Sequence, residues 1–447
     1  MKILLLLSAI PYNKGEAIEV VSHEVVRLMA AAGHEVDVQI LIREGWSESS
    51  ADRERCAAVQ FSGVSGVRLL STIYLGDILP RRSSLVKKLS HAWVVVRSLP
   101  GFRRWINSYF FPAMAAKSMV VSQVERLRPD IILSIWSWEA LEASYDIPSV
   151  PRFVYYGNPN HKPQEAQLLF PDLFDMPVQG IANRIKLQIL KLLNQAREIQ
   201  HLKMMTQCEA TANNALIDAQ YYTEKGHPRS LYLQNMWPDA EAVPTFGRRA
   251  DEEDVFRICG SVGNLGATGN TFGLYFLGSE LAPRLGVLLG RDKLVIDVFG
   301  GGRPRAKVAE VLKQPNILLR GWVDDLNTEI QRSCAFLVLT NVYGFNVGNT
   351  RILLAWSLGA CVIAHTSSAL SMPELEHGYN ALLGDTAEEI AALVARVARD
   401  IALREYIGRG GYETFQKYYR SEVVVPQMLE EMECTVNEFE GQGMMKC

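Results

Sequence analysis

The chain opens with an unbroken apolar run, Ile3 to Ser8 (ILLLLS), which predicts a strand covered on both faces rather than a half-exposed one. A turn, IPYNKGEA, leads into EVVSHEVVRLMAAAGH, whose apolar residues recur at helical spacing and stop at Gly33; EVDVQILI reads as the next strand. The alternation continues through DIILSIWS, RFVYYG, ATANNALIDAQYYTEKG (read as a helix) and SLYLQNM. A polar, Pro-containing stretch, residues 236–254, then interrupts it. The pattern restarts with VFRICGSVG and runs through KLVIDVFGGG, NILLRGWV, CAFLVLTN, ACVIAH and NALLG, with helices between. Strand–helix alternation twice over predicts an α/β protein of two Rossmann-like, doubly wound domains, residues 1–235 and 255–420. A ligand is expected between them, at the carboxyl ends of the strands.

Composition narrows this picture. With 447 residues, 48% hydrophobic and 21% charged, the chain is of ordinary globular make-up and long enough for two cores. The N-terminal apolar run is short, preceded by one Lys and followed at once by a turn and an amphipathic helix, so a buried strand is expected there rather than a cleaved signal. No eighteen apolar residues run unbroken, and no membrane-crossing helix is expected. The 7 cysteines form no CxxC pair, which fits reduced thiols in a cytoplasmic protein and makes structural zinc unexpected. The net charge of -3 hides an asymmetry: between Asp77 and Glu125 the chain has no acidic residue but carries Arg81, Arg82, Lys87, Lys88, Arg97, Arg103, Arg104 and Lys117.

Several segments carry a family likeness. GSVGNLGATGNTF, LVIDVFGGGRPRAKVAEVLKQPNILLRGWVDDL, LLAWSLGACVIAHTSSALSMPELEHGYNALLGDTAEEIAALV and LREYIGRGGYETFQKYY resemble, in this order, the GT-B glycosyltransferases. They look most like the family 4 (glycosyltransferase group 1) enzymes that use nucleotide sugars, and GEAIEVVSHEVVRLMAAAGHEVDV is similar to that group's first turn and helix. The resemblance implies two domains closing on a nucleoside diphosphate, the second holding the donor, the first the acceptor. It also implies a final helix crossing back to the first domain, a part that SEVVVPQMLEEMECTVNEF, in residues 421–447, would play. A nucleotide sugar would be substrate, with no cofactor and no metal, and retention at the anomeric carbon follows from the family alone.

The donor side departs from that pattern. The group's two Glu fall here on Asn346 and Leu354, and its Arg and Lys after the second Gly of GSVG fall on Asn264 and Gly269. What remains is a helix start, Gly348, Asn349, Thr350 and Arg351, where free amides and the helix dipole favour an anion. The plainer readings are an N-cap at Asn349 or Thr350 and a solvated Arg351. Gly263 with Asn264, and Arg303 with Arg305 after the glycine-rich turn, are further donor-binding candidates, against a simple tight turn. Gly15 is the expected point of close backbone approach in the first turn. By the resemblance, His161 would sit near the donor sugar; otherwise it is a surface-loop histidine. Glu139, at a strand's carboxyl end, is a candidate acceptor-side base, or only the first turn of a helix.

The segment RRSSLVKKLSHAWVVVRSLPGFRRWINSYFFPAMAAK mixes cations with Trp93 and Trp105, the composition of an interfacial membrane contact or acceptor surface, and ANRIKLQILKLLNQAREIQHLK repeats the theme. Solvated basic helix faces are the alternative; a nucleic-acid partner is not expected. The function read from the sequence is transfer of a sugar from a nucleoside-diphosphate sugar to a glycan or lipid-linked acceptor, in the cytoplasm or at the inner face of the membrane. The rival reading is a catalytically inactive GT-B partner in glycan assembly, favoured by the lost donor-site charges.

Overall fold

The computed structural model describes residues 1–78, 116–247 and 255–444. Arg81, Arg82, Lys87, Lys88, Trp93, Arg103, Arg104 and Trp105, the expected membrane or acceptor surface, lie outside the described residues. The first sheet contains β1 (Lys2–Leu7), β2 (Glu35–Ile42), β3 (Val67–Leu69), β4 (Ile73–Tyr74), β5 (Ile131–Ile135), β6 (Arg152–Tyr156), β7 (Ala210–Asn213) and β8 (Ser230–Tyr232). Its order is β3-β2-β1-β5-β6-β7-β8, with β4 also pairing with β2, and every pairing is parallel. The second contains β9 (Phe256–Val262), β10 (Leu294–Phe299), β11 (Ile317–Gly321), β12 (Ala335–Val338), β13 (Val362–His365) and β14 (Leu382–Gly384), ordered β11-β10-β9-β12-β13-β14 and again parallel.

The opening leucine run shows why these strands lack polar alternation. Ile3, Leu5 and Leu7 enter one core and Leu4 and Leu6 another, on the opposite face of the same sheet. Helix α1 (Ala17–Ala31) follows, started by a reciprocal Glu16–Glu19 capping box and ended before Gly33, whose φ of 86° suits only glycine. The helices that bear on the site are α2 (Trp138–Ala143), α3 (Lys162–Leu169), α4 (Ile181–Met205), α5 (Leu216–Glu224), α6 (Thr268–Phe276), α7 (Ala306–Val311), α8 (Thr350–Ser357), α9 (Ile401–Tyr418) and α10 (Ser421–Met444).

Residues 210–226 are not one helix, as the sequence pattern suggested. Ala210–Asn213 forms β7, hydrogen-bonded between β6 and β8, and the helix α5 begins only at Leu216. Four small or polar residues make a strand there because the parallel sheet covers both faces and leaves room for little else.

Helix α10 returns to the first sheet. Val424, Val425, Met428, Leu429 and Met432 share a buried cluster with Val21 and Val25 of α1 and with β1. Its polar side is tied down by Arg229 to Glu431 and Glu438, and by Arg27 to Glu422. The halves also meet at Glu374, which accepts hydrogen bonds from Tyr232 (2.9 Å), Gln234 (3.0 Å) and Tyr419, while the Leu216 amide donates to the Ser371 carbonyl at 3.0 Å.

Candidate active site

Strand order reverses between β1 and β5 in the first sheet and between β9 and β12 in the second. Loops leave in opposite directions at such points and open a crevice at the strands' carboxyl ends. A cavity of about 460 Å³ lies there, lined by Ala17 and Ile18 after β1, Arg43 after β2, and Trp136, Trp138 and Glu139 after β5. Tyr156, Gly157, Asn158 and Asn160 follow from the end of β6, Asn214 and Asn235 from the ends of β7 and β8. The second domain closes it with Gly348 and Thr350. Gly348 fits because a Cβ there would lie 2.9 Å from the Asn214 carbonyl oxygen and 3.2 Å from its Oδ1. A larger residue would push the domains apart at this point.

Glu139 reaches the cavity from the first turn of α2, whose N-cap Ser137 accepts a hydrogen bond from the Ala140 amide at 2.9 Å. Burial raises its pKa above the ordinary carboxyl value, with Arg43 acting in the opposite sense and Glu44 adding to the rise. Beside it Trp136 takes φ 44°, a left-handed conformation that a bulky residue rarely adopts, and its buried Nε1 has no hydrogen-bond partner. The turn that presents the carboxylate is therefore strained, as functional turns often are.

On the second domain, α8 starts without a side-chain cap. Asn349, its N-cap, is buried and turned inward: Oδ1 accepts from the Thr340 hydroxyl at 2.8 Å, and Nδ2 donates to Asn341 Oδ1 at 3.0 Å. Asn349 thus holds the N-cap position, as one of the two readings expected, but its side chain neither caps the helix nor lines the cavity and instead braces the 340–350 loop. The first amides of α8 are left for whatever occupies the cavity.

Arg351 is not a solvated helix residue. Its guanidinium is folded back into the domain, with Nε donating to the Val262 carbonyl at 2.6 Å, and no carboxylate among the described residues pairs with it. Burial alone pushes its pKa down to about 10. Nη2 lies 3.3 Å from where a Cβ on Gly263 would stand, so Gly263, at φ 104°, makes room for it. The charge thus stands at the β9 turn, next to Asn264.

The other candidates are placed differently. Asn264 spends its Oδ1 on the Gly266 amide, at 2.9 Å, holding its own turn. Arg303 is exposed in the turn after β10, and Arg305 lies over the Phe174 ring, 6.0 Å from its centroid. Asn346 does not line the cavity, and its buried Oδ1 has no partner. Gly15 faces its own helix: a Cβ there would fall 2.0 Å from Glu19 Oε2, so the glycine serves the capping box, and Ala17 and Ile18 line the cavity instead.

His161 is likewise not on the cavity wall. Its ring turns behind the loop, 3.9 Å from Glu198 through Nε2 and 5.6 Å from the Tyr221 ring, with Nδ1 buried and unpartnered. Burial lowers its pKa, against the pull of Glu198, and leaves it neutral at pH 7. Its neighbour Asn160 lines the cavity. Among the described residues, no group of three or more His, Cys, Asp and Glu side chains could hold a metal ion. Arg43, Asn158, Asn214 and Asn235 carry no signal in the sequence, since each follows a different strand and only the folded sheet brings them together.

Residues 257–400 match the model of the glycosyl transferases group 1 family. The chain has the GT-B glycosyltransferase fold, and its second half carries the group 1 match. The fold extends over nearly the whole chain. The sucrose-phosphate synthase of Thermosynechococcus elongatus is similar over 97% of this chain and 98% of its own, at 13% identity and TM-score 0.62. S. aureus TarM, solved with UDP, is similar over 98% and 99%, at 9% identity and TM-score 0.60. Anabaena HepE, solved with UDP and glucose, is similar over 96% and 99%, at 12% identity and TM-score 0.57. No curated protein sequence matches the chain.

Proposed function

We propose that this protein is a glycosyltransferase that moves a sugar from a nucleoside-diphosphate sugar to a hydroxyl of a glycan or lipid-linked acceptor, with Glu139 as the acceptor-side base. The observation that carries the reading is the uncapped start of α8, with Gly348 and Thr350 on the cavity wall across from Glu139. The α8 amides would meet the departing diphosphate, and Arg351 would supply a charge near Asn264, where the group's usual cation is missing. Preorganised donors of this kind stabilise charge as it develops on the leaving oxygen. UDP is the first nucleotide to test, since HepE and TarM were solved with it.

The test has two stages. A thermal-shift screen of nucleoside diphosphates and their sugars should raise the melting temperature with at least one, because a ligand bound only to the native state stabilises it. Arg351→Lys should then bind that nucleotide about tenfold more weakly, since the fork geometry is lost while a charge remains. No shift with any nucleotide, or unchanged affinity in the variant, would remove the diphosphate from this site.

A further inference from the structure

Helix α4 has apolar residues on two opposite sides. Its inner side places Asn194, His201, Met204 and Met205 in the protein interior. Ile181, Ile185, Leu192 and Ile199 point the other way and are 79%, 54%, 65% and 70% exposed. Steps of four, seven and seven residues hold these four within about 40° of one another, in a stripe roughly 27 Å long. No residue from Ile181 to Leu193 is buried, though that half of the helix is rich in Ile and Leu. A surface helix ordinarily turns polar residues outward, so four large apolar residues in one outward row, with only the uncharged Gln188 and Gln195 between them, mark a contact surface.

The charge beside the stripe says what it contacts. Arg184 and Lys191 flank it and Lys203 continues its line, all three exposed. The one acidic residue of α4, Glu198, is taken by the Tyr221 hydroxyl at 2.7 Å and by Lys225 at 3.5 Å. Among the described residues no helix is long and apolar enough to cross a membrane. A helix with an apolar stripe edged by cations lies in the plane of a lipid interface, drawn there by anionic headgroups. A protein groove would complement the apolar side chains but not the uniform charge around them.

We infer that α4 docks this protein flat on an anionic lipid surface, with Ile181, Ile185, Leu192 and Ile199 entering the acyl boundary. Arg184, Lys191 and Lys203 meet the headgroups. The same helix supports the cavity from behind, where Asn194 Nδ2 donates to the His161 carbonyl at 3.1 Å, so docking holds the Asn158–Asn160 wall close to the bilayer.

The test is co-sedimentation of the full chain with phosphatidylcholine vesicles, with and without phosphatidylglycerol, at low and high salt. Binding should need the anionic lipid and fall steeply with salt. Ile185→Asp with Leu192→Asp should weaken it about tenfold or more, as should Arg184→Glu with Lys191→Glu. The milder pair Ile185→Ser and Leu192→Ser covers any loss of folding, checked by thermal melting, and donor binding should be unaffected in all of them. Absence of vesicle binding by the wild-type chain, or full binding by the α4 variants, overturns the inference. So does a dimer, seen by sedimentation velocity, that the same substitutions dissociate while vesicles remain unbound.

Discussion

Burial raises the pKa of Glu139, so ionising it costs the folded chain more than the unfolded one. The linkage runs one way: for an acid raised in the fold, stability falls as pH climbs from the unfolded value through the folded one. Glu139→Gln should therefore raise the melting temperature slightly at pH 8 while lowering turnover by about 10²–10⁴-fold, with nucleotide affinity kept. A variant that transfers sugar at the wild-type rate would return Glu139 to the ordinary first turn of a helix. Two buried histidines titrate in the other sense. His201 is pushed down to about 3 and His227 to about 4, both chiefly by burial, so their neutral forms belong to the fold. Their stabilisation is complete above the unfolded value near 6.5 and is lost as pH falls below it. Asp218, raised to about 6 by burial, opposes this over part of the range. The melting temperature should drop between pH 6.5 and 5, and His201→Asn should flatten that slope; a parallel curve for the variant would show that His201 is not a source of it. At this scale the sequence was partly legible. Glu139 stood out as an acid in the turn and helix start that follow a buried strand, whereas the inward turn of His161 depended on Glu198 and Tyr221, both distant in the chain.

Helix α8 illustrates how an element can be predicted correctly while its residues trade roles. Asn349 has N-cap backbone angles, φ -119° and ψ 100°, and Thr350 is the first helical residue. Proline is tolerated at that position because it removes an amide the helix does not use, and the preceding residue is already extended. Thr350→Pro should thus leave the helix standing and weaken nucleotide binding several-fold, measured by calorimetric titration against thermal stability. Unchanged binding would show that this amide meets no phosphate. Asn349→Ala should act on stability instead, removing two buried hydrogen bonds and leaving the Thr340 hydroxyl and Asn341 Oδ1 only each other, 3.2 Å apart, at a total cost of about 1–3 kcal/mol. Urea unfolding would measure the loss, and a negligible one would contradict the bracing role. The strands around α8 were readable from apolar runs because both faces of a parallel sheet are covered. The four-residue strand β7 was not, since Ala-Thr-Ala-Asn has no strand signature and takes its form from the neighbours that pair with it.

The two halves of the molecule are joined by more than their chain crossings. Gln167 on α3 donates to the Thr268 hydroxyl at the start of α6, and Asp175 accepts from the Ala306 amide at the start of α7, at 3.1 Å. Between these polar ties, Ala166, Leu173 and Phe174, which follow the first sheet's β6, belong to the buried core of the second domain. Phe170 and Phe174 meet Phe272 edge-on, each with ring centroids 5.3 Å apart. Nothing in the local pattern around PDLF said that these rings would be covered by the opposite domain; the pairing becomes visible only when both sheets are in place. A core shared in this way predicts that the domains unfold together, because opening one exposes apolar surface of the other. The intact chain should therefore show a single calorimetric transition. Phe174→Ala should cost about 3–5 kcal/mol if the cavity it leaves cannot collapse. The same change should loosen the coupling enough to split the transition in two, since the Glu374 contacts on the other seam are polar. A single transition that shifts down without splitting would mean that the halves are coupled through α10 and Glu374, with the aromatic seam adding stability but not cooperativity.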